Sequence, residues 1–252
     1  MTTVLDDLGH AVAVPAPATR VVSLVPSLTE AIAATRPGSL VGATDWCTHP
    51  GDLTVTRVRG TKNPDRAAIV DLRPDLVVTN QEENRELDVR RLREAGIAVW
   101  VTRIETVAES FASMRRLFDL ALGWGVPAWL ERAEAAWEQP APARRRRVAV
   151  PIWRDPWMVV GSRTFTGDLL DRLGLDNVFG DSGDRYPQVD LSAIDTDRVD
   201  VVLLPDEPYV FTPDDGPEAF DTAPVVHVSG RALTWYGPAQ LTARDEILTA
   251  LG

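Results

Sequence analysis

Short apolar runs alternate with segments of helical spacing along most of the chain. In the first half, residues 20–25, 40–44, 76–79 and 98–102 are continuous β-branched or apolar stretches bounded by glycine, proline or polar residues, the pattern of strands buried on both faces. Between them, 28–35, 64–72 and 84–95 carry helical patterns, the last closed by Gly96 as a C-cap. The second half repeats the scheme, with strands predicted at 148–152, 158–161, 199–204 and 225–228 and clearer helices at 165–173 and 238–251. No residue-level repeat relates the halves. Between 107 and 139 there is no strand signal. Helical spacing runs through Phe111, Met114, Phe118 and Leu122, is interrupted by Gly123-Trp-Gly-Val-Pro127, and resumes until Pro140-Ala-Pro142 stops it.

Strand–helix–strand alternation predicts an α/β fold of mostly parallel sheets with helices on their faces. The expected organisation is an N-terminal lobe over 1–105, a helical connector over 106–143 and a C-terminal lobe over 144–252. Ligands of open parallel sheets bind beyond the carboxyl ends of the strands. Two Rossmann-like lobes facing each other would enclose a cleft, so the chemistry is expected just after the strands.

Charge narrows the function. With 26 basic and 37 acidic residues among 252, the net charge is −11, which argues against a nucleic-acid partner and against anionic membrane surfaces. The four arginines at 144–147 lead straight into an apolar run and read as a solvated strand entrance. Cys47 is the single cysteine, so no internal disulfide is possible and the fold rests on packing. No stretch approaches the ~20 apolar residues of a membrane span. The start, Met1-Thr-Thr-Val-Leu-Asp-Asp, lacks a basic segment followed by a hydrophobic one. The expectation is a cytoplasmic protein if that start is natural, and an extracytoplasmic one if a signal peptide was removed.

Several loops after predicted strands hold unusual residues. After the first, Ser27 and Glu30 form a capping-box pattern at a helix start. After the second, Thr44-Asp-Trp-Cys-Thr-His-Pro50 packs Trp46, Cys47 and His49 into one loop. Two ligands do not close a zinc sphere, so Trp46 stacking on a flat ligand with His49 at the rim is preferred to a metal site. Further loops bring Asn84, Trp153, Arg154, Trp157, Tyr209, Arg231, Trp235 and Tyr236 to strand ends. Tryptophan is commonly core, yet the shared placement suggests an aromatic-lined cleft for a large planar or macrocyclic ligand. There is no nucleophile elbow, phosphate loop or dinucleotide fingerprint. Binding without chemistry is favoured. The alternatives are a cytoplasmic carrier or sensor, and an enzyme acting on the same ligand through Cys47 or His49.

These segments resemble a known family, the helical-backbone substrate-binding proteins of cobalamin and ferric-siderophore ABC importers, or class III periplasmic binding proteins. The resemblance runs in order through Asp6-Asp-Leu-Gly-His-Ala-Val-Ala-Val-Pro15, Arg20-Val-Val-Ser-Leu-Val-Pro-Ser-Leu-Thr-Glu30, Leu40-Val-Gly-Ala-Thr44 with His49-Pro50, Leu72-Arg-Pro-Asp-Leu-Val77, Leu92-Arg-Glu-Ala-Gly-Ile97, Gly174-Leu-Asp-Asn-Val-Phe179 and Trp235-Tyr-Gly-Pro238. It implies two lobes, a connecting helix, no covalently bound cofactor, and a monomer that binds one metal chelate. A cobalamin-like corrinoid is favoured, since the family's cobalamin binders carry an aromatic at the position of Trp46. Arg154, Arg163 and Arg231 keep a ferric siderophore open as the alternative.

The expected stacking residues are Trp46, Trp153, Trp157 and Trp235, with Asn84, Arg154, Tyr209 and Arg231 as polar contacts, His49 at the pocket rim and Tyr236 among the aromatics lining the cleft. Three features depart from the family. Ala67 and Ser192 stand where its members carry permease-docking glutamates, the leader is missing, and the connecting helix, 13 residues over 127–139, is short at about 20 Å. Coupling to an ABC permease is therefore doubtful, unless Asp65, Asp71, Asp190 or Asp195 substitutes.

Overall fold

The computed structural model of the chain describes residues 2–143 and 145–252. They fall into two compact units. The first holds the chain through Ile104 with Ala108–Ala133 and Tyr236–Pro238; the second holds Glu105–Val107, Glu134–Trp235 and Ala239–Gly252.

The first unit opens with an antiparallel hairpin, β1 (Thr2–Leu5) and β2 (Ala11–Val14). Its turn is anchored by Asp6, 2% exposed, which accepts from the backbone of Leu8 and His10 at 3.0 and 2.9 Å and from Arg93 at 2.8 Å. There follow β3 (Val21–Ser23), α1 (Pro26–Thr35), β4 (Leu40–Ala43) and β5 (Thr56–Arg57). A two-residue pair, β6 (Arg59–Gly60) and β7 (Asn63–Pro64), then leads to α2 (Arg66–Asp71), β8 (Leu76–Asn80), α3 (Glu86–Glu94) and β9 (Val99–Thr102). The main sheet is parallel, in the order β5-β4-β3-β8-β9.

The predicted strands hold because this sheet is covered on both faces: all five residues of β8 are buried. Val22, Val77, Val99 and Val101 pack against Ile69 of α2 and Val89 and Leu92 of α3. Gly96 follows α3 at φ +79°, as a C-cap requires. The capping box does not form. Pro26 occupies the first turn of α1, and Val25, without a side-chain bond, is the N-cap. Proline's fixed φ and missing N–H start the helix earlier and leave Ser27 inside it.

Next come α4 (Val107–Arg116), a wider π turn over Leu117–Ala121, and α5 (Ala128–Ala136). The predicted 13-residue connecting helix thus has 9 residues, about 14 Å. Beyond it, Trp137 and Glu138 bond back three residues to Glu134 and Ala135 instead of four. The division between the units falls inside α5.

The second unit contains β10 (Arg146–Ala149), β11 (Pro151–Trp153), β12 (Met158–Val159), α6 (Phe165–Arg172), β13 (Leu175–Asn177), α7 (Leu191–Ile194), β14 (Val201–Pro205), β15 (Val225–Val228), α8 (Gly230–Thr234) and α9 (Ala243–Leu251). Its main sheet, also parallel, has the order β13-β10-β14-β15, and β11 and β12 form a separate antiparallel pair. Ala149, Val159, Val202 and Leu204 form its core with Ile194, Val199, Phe211 and Ala223. Thr164 caps α6 by accepting from Gly167 N at 3.0 Å.

In the arginine run, Arg144 lies outside the described residues. Arg145 pairs with Asp171 and Asp176 at 2.7 and 2.6 Å, and Arg147 with Asp200 at 2.7 Å. Among the described residues no helix is long and apolar enough to cross a membrane.

Candidate functional site

In the first unit the loop after β4 is stiffened from below. The Arg57 guanidinium donates to the carbonyls of Thr44 and Cys47 at 2.8 and 2.9 Å, and Thr29 Oγ1 donates to Cys47 Sγ at 3.0 Å. Burial pushes the Cys47 thiol up, against the opposing pull of hydrogen bonds from Thr29 and Thr44, so it stays a thiol at neutral pH. On this support Trp46 is held outward, 67% exposed. Its indole nitrogen lies 3.3 Å from where a Cβ on Gly60 would stand, so the ring lies along a backbone that has no side chain there. His49 is exposed beside it, with Nδ1 3.1 Å from Thr48 Oγ1.

Asn84 lies deeper, 6% exposed. Its carbonyl oxygen accepts from Asn80 N at 2.9 Å, and its amide donates to Leu24 O at 3.2 Å and Thr61 O at 3.0 Å. One side chain thus ties together the ends of β3 and β8 and the turn after β6. Tyr236, grouped with this unit, is 5% exposed, and burial, with the nearby Glu83 charge, holds its phenol well above the usual range.

In the second unit the residues after β10 and β14 form one aromatic group. Trp153 stands edge-on to Tyr209 with ring centroids 5.5 Å apart; Tyr209 leans on Phe211 at 4.7 Å; Trp157 stacks on Phe211 at 6.1 Å and meets Phe220 edge-on at 5.5 Å. Phe211 belongs to the core, so the group is rooted there. Its outer member is Trp153, 45% exposed.

Arg154 lies over the Trp157 ring, 5.6 Å from its centroid. Its guanidinium makes short hydrogen bonds to both Asp215 and Glu218, and Asp155 is 3.7 Å away. Sequence reasoning missed these partners. The acidic turn Asp214-Asp-Gly-Pro-Glu218 was its only local signal, and its target is 61 residues away in the chain.

A third group surrounds Glu207. Arg231 lies 5.9 Å over the Trp235 ring, and Trp235 is buried. Thr234 Oγ1 donates to Glu207 at 3.3 Å, and the Trp235 side chain bonds the same carboxylate. Burial pushes Glu207 up, aided by the Asp206 charge and opposed by those two bonds and by Arg231. Residues 230–234, read from sequence as loop, form α8. Ser229 caps it by accepting from Ala232 N at 3.2 Å. Among the described residues no group of three or more His, Cys, Asp or Glu is placed to hold a metal ion.

No family model matches the chain. A vitamin B12-binding protein of Pectobacterium carotovorum is 25% identical over 182 residues, covering 68% of this chain and 65% of the relative, slightly under two thirds of its length. The structure of the periplasmic vitamin B12 binding protein BtuF of Vibrio cholerae superposes with a TM-score of 0.77 at 20% identity, over 94% of this chain and 98% of that one. The chain is thus similar in sequence to vitamin B12-binding proteins and has the fold of periplasmic binding proteins.

The fold is shared more widely than any one ligand. The periplasmic heme-binding protein RhuT of Roseiflexus matches with a TM-score of 0.75 at 20% identity, over 92% of this chain and 97% of that one. The expected α/β fold with two parallel sheets is therefore the fold of these solved structures. Ala67 in α2 and Ser192 in α7 are both exposed.

Proposed function

We propose that this chain is a non-catalytic binding protein for a large, flat metal chelate, with a cobalamin-like corrinoid favoured over a ferric siderophore or haem. The observation that carries this reading is the fate of its eight tryptophans. Trp100, Trp129, Trp137 and Trp235 are buried, while Trp46 and Trp153 are exposed. Both exposed rings follow a strand of their own unit's parallel sheet, where open α/β sheets receive ligands. Each is backed by a fixed scaffold, the Arg57-pinned loop in one unit and the Phe211-rooted aromatic group in the other. Exposed, immobilised indoles present apolar area at little cost in side-chain entropy. The vitamin B12-binding relative supports a corrinoid as the ligand, and the heme-binding neighbour keeps other chelates in the same class.

The test is quenching of tryptophan fluorescence by cyanocobalamin at micromolar concentration. Trp46→Ala and Trp153→Ala should each weaken binding by tenfold or more, about 1.4 kcal/mol. Both should melt close to wild type, since neither ring is buried. Absence of quenching by cyanocobalamin, haemin and a ferric siderophore alike would refute the reading.

Uncoupling from an ABC permease is the second part of the proposal. The exposed Ala67 and Ser192 offer no carboxylate to a basic docking surface. Stimulation of a corrinoid permease's ATPase by this protein would count against it; Ala67→Glu with Ser192→Glu should create or increase such stimulation.

A further inference from the structure

Arg154 sits beside the exposed Trp153 and, by residue type, is the natural grip for an anionic ligand. Its surroundings remove it from that role. Asp215 and Glu218 both hold the guanidinium, and each carboxylate is itself fixed through a second bond. Tyr209 OH donates to Asp215 Oδ2 at 2.7 Å, and Gly216 N donates to Glu218 Oε2 at 2.5 Å. With Asp155 also at 3.7 Å, three carboxylates surround one cation. The face formed by Trp153 and Tyr209 is therefore rimmed by net negative charge. The bond to Asp215 also pushes the Tyr209 phenol up.

We propose that Asp215 and Glu218 set the charge selectivity of this surface: by occupying Arg154 they make it accept a chelate with a neutral or cationic periphery and turn away an anionic one. This rests on the reading that the second unit's aromatic face touches the ligand, and it adds the residues that choose among chelates. Like charges brought into contact at an interface are costly, and the cost is screened by salt.

The experiment compares wild type with Asp215→Asn/Glu218→Gln in fluorescence titrations with cyanocobalamin, which has no net charge, and with a trianionic ferric tris-catecholate. The double variant should gain tenfold or more for the trianion, about 1.4 kcal/mol, with the gain shrinking at high salt. Its affinity for cyanocobalamin should stay within about threefold of wild type. Adding Arg154→Met to the double variant should abolish the gain. The single variant Glu218→Gln, at a half-exposed side chain, gives a smaller gain in the same direction and serves if the double variant is unstable. An unchanged trianion affinity in both variants, or a gain that survives Arg154→Met, overturns the proposal. If wild type binds neither probe, the functional reading falls, while a salt-sensitive, Arg154-dependent gain in the variants still supports the selectivity inference.

Discussion

Gly230, the first residue of α8, lies tight against the Glu207 segment. A Cβ added there would lie 2.3 Å from Glu207 Cγ, 2.8 Å from Glu207 N and 2.9 Å from Glu207 O. Ordinary carbon contacts begin near 3.5 Å, so the two backbones must part by roughly 1 Å. The side chain cannot simply turn away, because two of the three clashing atoms are main chain and Glu207 is held by Thr234 and Trp235. Parting them also stretches the 2.7 Å bond from Gly230 N to Asp206 Oδ1. Overpacking of this kind costs about 3 kcal/mol. Alanine returns up to about 1 kcal/mol by restricting the unfolded chain. The net loss from Gly230→Ala is then about 2 kcal/mol, or a fall in melting temperature of about 4–8 °C for a chain of this size. Circular dichroism melting would measure it, with Gly183→Ala as control, since nothing lies within 4 Å of a Cβ at Gly183. The control should melt at or slightly above wild type. A Gly230→Ala protein melting within a degree of wild type would show that the Glu207 segment yields freely, and the close-contact argument would be wrong.

Asn84→Ala should cost about 2–3 kcal/mol in urea unfolding, because it leaves the Asn80 N–H and two loop carbonyls without their buried partner; a loss under 0.5 kcal/mol would mean that those loop ends are held by other contacts. Glu207→Gln tests burial through pH. Because the folded carboxyl titrates above its unfolded value of about 4.3, wild type binds more protons folded than unfolded between the two values. Its stability is therefore full below the unfolded value and falls as pH rises towards the folded one. Glutamine keeps an acceptor for Thr234 and Trp235 without the charge. The variant's melting temperature minus that of wild type should rise between pH 4 and pH 8, and a flat or falling difference would contradict the assignment.

The strands could be read because β8 and β14 are buried at every position, which writes an uninterrupted apolar run into the sequence. α8 could not. Five residues starting on glycine carry too little periodicity, and the helix is set by the Ser229 cap and the contact with Glu207, neither of which is visible as a hydrophobic pattern. The start of α1 was misread for a related reason. Two local rules competed, a serine cap and a first-turn proline, and proline won because its φ is covalently fixed.

The candidate site divides along the same line. Trp46 and Trp153 follow strands that spacing alone predicts, whereas Trp235 and Tyr236 follow helix α8, which it does not; Trp153, Arg154 and Trp157 lie within a single hexapeptide. What Arg154 does with its charge was decided 61 and 64 residues later, by Asp215 and Glu218. A lone arginine between tryptophans reads as a grip for anions; the same arginine with its guanidinium shared by two carboxylates is part of the wall behind Trp153. The reading therefore moves from the basic residues to the aromatic ones. The arginine signal changes sign with its partners, whereas an exposed indole keeps its apolar face whatever lies behind it.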